Sequence, residues 1–506
     1  MNVTAHELST SRTLWDLVVR RAELTPDRPV FLQDDRALTF GELRGRAERV
    51  AAGLYGMGVR PGTVVAWQLP TRIETALLSF ALARLGAVQS PVIPFYRDRE
   101  VGFALRESRA EFFAVPGTWR GFDHTEMARR LGAKGVFEAY DDLPDGDPGV
   151  LPAPPAEGTS VRWIYWTSGT TSDPKGVLHT DRSLIAGGSC LAHALHLSAA
   201  DVGSMAFPYA HIAGPDYTVM LLLYGFPAVM FEQFALDRAL EGYRRHGVTV
   251  AGGSTAFYSM FLAEQRKQPG EKVIPTLRLL AGGGAPKPPE VYHAVVREMG
   301  VQLTHGYGMT EVPMITMGSP DDTTENLATT EGRPPEGMEI RIVDGEVRLR
   351  GEAVCQGYLD PVQTAEAFDE EGFLRTGDLG QLTGSGHLVL TGRSKDVIIR
   401  KGENISAKEI EDLLHRHPAV GDVAVIGLPD AERGERVCAV IEAAAQSPQA
   451  VAGLTLEAVT SYLRAQGLSV HKLPEQLEVV DALPRNETLR KVLKYKLRER
   501  YSDTVK

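Results

Sequence analysis

A helix-then-strand unit that repeats at once, within residues 38–95, restricts the possible folds most severely. In "LTFGELRGRAERVAAGLYGMGV" apolar residues recur at helical spacing, and "GTVVAWQLP" follows as a short apolar run. "RIETALLSFALARLGAV" then reads as a second helix and "QSPVIPF" as a buried strand. Alternation of this kind predicts a layered α/β fold. The chain has 506 residues, more than one core usually serves, so at least two domains are expected. The Pro- and Gly-rich stretch 142–158, "DLPDGDPGVLPAPPAEG", is read as an exposed connection.

After residue 338 the texture changes. "MEIRIVDGEVRLRG" alternates apolar and polar residues around Asp344-Gly345, the dipeptide that favours a type I′ hairpin, so a β-rich subdomain is expected there. From about residue 396 short strands mix with helices, and one helix opens with the capping-box pair Ser406 and Glu409. The division predicted is a large domain over 1–394 and a small α+β domain over 395–506.

Charge and cysteines exclude some classes of function. Lys plus Arg number 54 against 65 Asp plus Glu, a net charge of −11 that repels phosphodiester backbones, so nucleic acid is not the expected partner. Cys190, Cys355 and Cys438 are far apart with no metal-ligand spacing, which suits a reducing cytoplasm. The N-terminus lacks a basic-then-apolar signal pattern, and the longest apolar segment, residues 217–231, is too short to span a bilayer.

Four segments carry chemistry. "YWTSGTTSDPKGV" (165–177) is a strand running into a loop of hydroxyls and glycines around Lys175, able to turn N–H groups and an ammonium toward phosphate oxygens. It is not a Walker loop: where G-K-[ST] should stand are Pro174, Lys175 and Gly176. "LLAGGGAPKPP" (279–289) ends an apolar run in glycines, which suits either close approach to a flat ligand or tight strand packing. "HGYGMTEV" (305–312) offers an aromatic ring, a hydroxyl and a carboxylate, suited to a base, a phosphate and Mg²⁺. "RTGDLG" (375–380) puts Asp378 after a turn, where a carboxylate could accept both hydroxyls of a ribose.

In this order, and with "GEVRLRG…GY" and "GRSKDVIIRKGENISAKEIE", these segments resemble the adenylate-forming superfamily of acyl-CoA synthetases, luciferases and peptide-synthetase adenylation domains. The resemblance covers residues 14 to 498, and the N-terminal half is most similar to bacterial ligases for fatty and alicyclic acids. It implies a large N-terminal domain of two α/β subdomains plus a β-rich one, a mobile α+β C-terminal domain, and an acyl-adenylate made from ATP and passed to coenzyme A. By the family pattern Thr167, Ser168, Gly169, Thr170, Thr171 and Lys175 surround the β- and γ-phosphates, with Thr170 in a catalytic role. Gly284, Ala285 and Pro286 lie beside the adenine, Tyr307 stacks on it, Gly308, Met309 and Thr310 continue toward the phosphates, and Glu311 is catalytic and holds Mg²⁺. Asp378 and Arg393 form the ribose pair, Lys395 is the hinge, and Gly402 lines the pantetheine tunnel. His211 in "FPYAHIAGP", with Gly253, Ser254 and Gly282, borders the acid, although a histidine in an apolar stretch is as often simply packed.

The tail "LPRNETLRKVLKYKLRER" (483–500) departs from the family's P-R-T-x-[ST]-G-K. Counting from Pro484 puts Arg490 on the family's lysine; counting from the right puts Lys491 there, with one extra residue upstream. The glycine is absent in either register. With Asn486 as an N-cap, Leu489, Val492, Leu493 and Leu497 form one helical stripe and Lys491 faces the other way, which favours Lys491 as the adenylation lysine and keeps Arg490 as its competitor.

The expectation is an ATP- and Mg²⁺-dependent acyl-CoA synthetase for a hydrophobic carboxylic acid, cytoplasmic, without a transmembrane segment, with room for a homodimer. The alternatives are an adenylating ligase with another acceptor (an amine, a carrier protein or another nucleophile) and a degenerate nucleotide-binding member with little turnover.

Overall fold

Thr39 and Glu42 begin the first long helix, Phe40–Gly56, by capping each other's backbone amides. The computed structural model describes residues 4–167, 174–401, 403–430, 432–444, 453–486 and 490–502. The strand Val64–Trp67, the helix Ile73–Leu85 and the strand Val88–Pro91 follow in the alternating order that the sequence predicts. Every residue of Ile73–Leu85 is buried, which is why apolar residues occupy every face of it, with Glu74 and Arg84 its two charged side chains.

Val64–Trp67 and Val88–Pro91 join a six-stranded sheet, parallel except for the antiparallel pair Val161–Trp166 and Gly176–Thr180 at one edge. Trp166 faces Gly176 in register, which brings the ends of these two strands, and with them Thr167 and Lys175, together. A second sheet runs Gly203–Met205, Ala228–Met230, Pro29–Gln33, Arg36–Thr39, and a third runs Val250–Gly253, Leu279–Gly283, Gln302–Met309, Val312–Met317. In the third, the first three strands are parallel, and their carboxyl ends carry the glycine-rich segment and "YGMTE". Crevices at such strand ends are where α/β sheets bind ligands.

The glycines let these strands approach. A Cβ on Gly282 would lie 2.0 Å from the Gly253 carbonyl oxygen, and one on Gly283 2.4 Å from that of Gly306. Strand packing therefore accounts for two of the three glycines in 282–284. Gly284 has φ 80°, the left-handed conformation.

An antiparallel sheet of Met338–Val343, Glu346–Gly351, Leu374–Leu382 and Leu388–Arg393 follows, and both turn residues of its first hairpin, Asp344 (φ 51°) and Gly345 (φ 81°), have the positive φ of a type I′ turn. Three residues, Ser394–Asp396, separate its last strand from Val397–Arg400, which belongs to a separate C-terminal sheet. That sheet packs the helices Ala407–Leu414 and Leu456–Ala465 into one core, while Leu497 and Tyr501 of the last helix, Lys494–Ser502, pack in another with Ile426 and Val440. The fold is mixed α/β with its own C-terminal domain.

Two local expectations need correction. Ser406 accepts from the Glu409 amide as predicted (3.3 Å), but the Glu409 carboxylate pairs with Lys472 Nζ at 2.6 Å instead of returning to the cap. Of the predicted helical stripe, Leu489 lies outside the described residues, and residues 490–493 are not helical. Arg485 bridges Val492, Leu493 N–H donates to the Pro484 carbonyl (2.7 Å), and the last helix begins only at Lys494. Asn486 closes this loop: its Oδ1 accepts from the Lys491 amide and its own N–H donates to the Lys491 carbonyl, both at 2.9 Å. An asparagine that bonds back across a loop offers the same side-chain acceptor as an N-cap, so composition cannot separate the two.

Candidate active site

The loop after Val161–Trp166 is anchored at its neck, where the Lys175 amide donates to Thr167 Oγ1 (3.1 Å) and the Thr167 amide to the Lys175 carbonyl (3.0 Å). Ser168, Gly169, Thr170 and Thr171 lie outside the described residues, as does Gly402. The Lys175 ammonium sits 4.9 Å from the centre of the Tyr358 ring, and the Tyr358 hydroxyl donates to Glu311 Oε1 at 2.8 Å. Glu311 is buried, and burial raises its pKa while Tyr358, Lys175 and Arg393 pull it down.

The neighbouring Thr310 is held through its carbonyl, which accepts from His179 Nε2 at 2.7 Å. His179 is fully buried and its pKa is pushed down to about 4, so it is neutral, with Nδ1 left to accept from Ser183 Oγ at 2.9 Å. His179 and Tyr358 escaped the sequence reading. The tyrosine stands in the "GY" of a motif used only for the resemblance; nothing in sequence marks the histidine.

On the antiparallel sheet Asp378 and Arg393 are cross-strand partners, and Arg393 Nε lies 2.7 Å from Asp378 Oδ1. The Tyr307 hydroxyl donates to Asp378 Oδ2, so the carboxylate joins a ring and a guanidinium from two different sheets. The Ala285 carbonyl accepts from His305 Nε2 at 2.9 Å and the Pro286 carbonyl from Thr255 Oγ1 at 2.8 Å, which fixes the segment after Gly284.

Beside these groups opens a cavity of about 180 Å³. His211, Gly253, Gly282, Gly284, Gly308, Met309 and Thr310 line it, with apolar walls from Leu191, Phe207 and Met220. Ser254 does not. It is fully buried and precedes the helix Thr255–Lys267. His211 is desolvated and lies near Lys491; together these push its pKa down to about 3, and Nδ1 accepts the Ala213 amide (3.2 Å).

Among the described residues the C-terminal domain brings one cation to this cavity. Lys491 lines it together with Asn486, and burial lowers its pKa to about 8, helped by Arg393 and opposed by Asp378 and Glu311. Arg490 is exposed and has φ 58°, the left-handed conformation. Lys395 lies in the turn Ser394–Asp396, where burial and Arg393 lower its pKa, and Arg498 Nη2 bonds the adjoining Asp396 at 2.7 Å. Arg416 also pairs with Glu290 across the two domains at 3.2 Å.

Residues 18–359 match the AMP-binding enzyme family and residues 409–489 match the AMP-binding enzyme C-terminal domain. The chain belongs to this adenylate-forming family. A salicyl-AMP ligase / salicyl-S-ArCP synthetase of Mycobacterium tuberculosis is 34% identical over 94% of this chain and 88% of its own length. A medium-chain fatty-acid–CoA ligase of Escherichia coli is 29% identical over 96% of this chain and 90% of its own. The crystal structure of ATP-bound MatB from Rhodopseudomonas palustris superposes with a TM-score of 0.87 at 27% identity, covering 97% of this chain and all of that one. Among the described residues of this adenylate-forming enzyme no helix is long and apolar enough to cross a membrane.

Proposed function

We propose that this chain is an ATP-dependent acyl-CoA synthetase that activates a carboxylic acid with a largely apolar body and passes the acyl group to coenzyme A. One observation carries the reading: Lys491 of the C-terminal domain enters the apolar cavity beside Thr310, within the electrostatic reach of Glu311 and Asp378. In the first half-reaction the acid's carboxylate attacks the α-phosphorus of ATP, a C–O–P anhydride forms and pyrophosphate leaves. The barrier is the approach of an anion to a polyanion, so a desolvated ammonium that neutralises both is worth far more than one in water.

The other roles are proposed from the family resemblance and the contacts described above. Asp378 receives the ribose hydroxyls, held in place by Arg393 and Tyr307, whose ring lies under the adenine beside Gly284, Ala285 and Pro286. Lys175 and the hydroxyls of residues 167–171, Thr170 among them, face the β- and γ-phosphates. Glu311 suits Mg²⁺: a single carboxylate completed by phosphate oxygens and water is the usual arrangement for that ion. Among the described residues no three His, Cys, Asp or Glu side chains gather to cage a metal unaided. When bound, the ion supplies charge neutralisation on the phosphates.

For Lys491 over Arg490 the backbone supplies the argument. In the Lys491 register Arg490 occupies the place of the family's glycine, and its φ of 58° keeps the conformation a glycine would favour. The strain is about 1–2 kcal/mol, small enough for the surrounding hydrogen bonds to hold. In the second half-reaction the thiol attacks the acyl carbon and AMP departs. We place the pivot for that change of state at Lys395, the division of domains between residues 394 and 395, and Gly402 beside the pantetheine. Three free thiols, Cys190, Cys355 and Cys438, suit a cytoplasmic site of action.

The ammonium form of Lys491 is the useful one, present below its pKa of about 8 and lost above it. First-half kcat/KM for ATP is therefore expected to fall as pH rises through about 8, and Lys491→Arg, if active, to move that limb upward. A pH profile of pyrophosphate release checks this; a flat profile to pH 10 contradicts it.

The acceptor is tested by mass spectrometry of reactions with acid, ATP and coenzyme A. Thioester formed in equal amount with AMP supports the reading. Acyl-adenylate and AMP without thioester would support a carrier-protein acceptor, the second reading that the salicyl-S-ArCP synthetase relative favours.

A further inference from the structure

One side chain in the cavity wall is out of keeping with the rest. Asp216, in the first turn of the helix Ala213–Tyr224 and one turn beyond His211, lines the cavity and is only 2% exposed. Its carboxyl has no hydrogen-bond or ion-pair partner among the described residues, and Oδ1 is completely shielded from solvent. The packing around it is close: a Cβ on Gly187, in the facing helix Asp181–Ala194, would lie 2.9 Å from Oδ1 and equally near Pro313.

Other polar groups of the same wall are already engaged. The Tyr217 hydroxyl accepts from the Ser204 amide at 2.9 Å, and Ser204 Oγ bonds the Tyr243 hydroxyl at 3.0 Å. Leaving a buried carboxyl unpaired costs about 1–3 kcal/mol or more, which an apolar side chain of similar size would avoid. Burial alone pushes this carboxyl well above the usual carboxylate range, with no cation or donor to bring it back. The neutral carboxyl keeps a carbonyl oxygen that accepts and adds an O–H that a hydroxyl or amino lone pair can take.

We propose that the acid activated by this chain carries a hydrogen-bond donor on its body, a hydroxyl or an amino group, and that Asp216 is the specificity-determining residue that receives it. The inference rests on the reading of this cavity as the acid site. A cavity with apolar walls and one unspent carboxyl grips a mostly hydrocarbon acid and orients it by a single polar contact. It also rejects the plain hydrocarbon acid, because binding that acid leaves Asp216 buried without a partner.

The test uses matched acids: benzoic, hexanoic and octanoic acids against their monohydroxy and monoamino derivatives, all positional isomers included. Two readouts are taken on wild type and on Asp216→Leu: kcat/KM for pyrophosphate release, and binding followed by fluorescence of Trp166, which lines the same cavity. In wild type at least one donor-bearing acid is expected to exceed its parent by about 10- to 100-fold. In Asp216→Leu that preference is expected to vanish or reverse in favour of the parent. The proposal is overturned if every parent outcompetes its derivatives in wild type, if the preference survives Asp216→Leu unchanged, or if none of the acids binds. Should Asp216→Leu fail to fold, the wild-type ratios alone decide. Binding with the expected preference but no pyrophosphate release would contradict the adenylation reading and leave the role of Asp216 standing.

Discussion

Lys491→Ala is expected to slow acid-dependent pyrophosphate release by about 10²–10³-fold, the usual effect of removing one oriented stabiliser of developing charge. The ammonium lies in a desolvated cavity, brought there by a loop whose neck Asn486 closes, and the described residues offer no second cation from the C-terminal domain to that cavity. Consumption of a preformed acyl-adenylate with coenzyme A should change far less if the lysine serves the first half-reaction as proposed. Arg490→Ala, at an exposed position, should stay within about threefold of wild type. A stopped-flow measurement of pyrophosphate separates the two variants. Full activity in Lys491→Ala with loss in Arg490→Ala would assign the other register.

Asp378→Ala is expected to raise KM for ATP by about 10- to 100-fold, because a charge-assisted hydrogen bond is worth about 1.5–3 kcal/mol. The same carboxylate holds Arg393 at 2.7 Å and accepts the Tyr307 hydroxyl, so its loss releases the guanidinium and leaves a buried phenol without its acceptor. Since ribose contacts are made equally in ground and transition states, kcat should fall much less than kcat/KM. Steady-state kinetics at varied ATP test this, and an unchanged KM would remove Asp378 from the nucleotide site.

Much of this arrangement is legible in the sequence because strand patterns and turn chemistry are local. Asp344-Gly345 announces its hairpin, and the glycines at 282–284 announce a close approach, though not that the partners are Gly253 and Gly306. What the sequence hides is contact between distant segments. His179 fixes Thr310 across 131 positions and Tyr358 reaches Glu311 across 47, and neither leaves a local signature. The tail misleads for a different reason. Leucines at helical spacing and an asparagine suit a capped helix, yet Asn486 spends its side chain on Lys491, and Arg490 takes a left-handed conformation that few non-glycine residues adopt. Asp216 is a related case: in sequence it is one acidic residue at a helix start, where acids are common, and only its burial against a cavity without a partner sets it apart.

Isotope exchange between pyrophosphate and ATP, run with a panel of acids and no coenzyme A, isolates the proposed adenylation, because exchange requires a reversible acyl-adenylate and nothing later. Exchange is expected to depend on the acid and on Mg²⁺. Absence of exchange with every acid, or exchange independent of any acid, would contradict it.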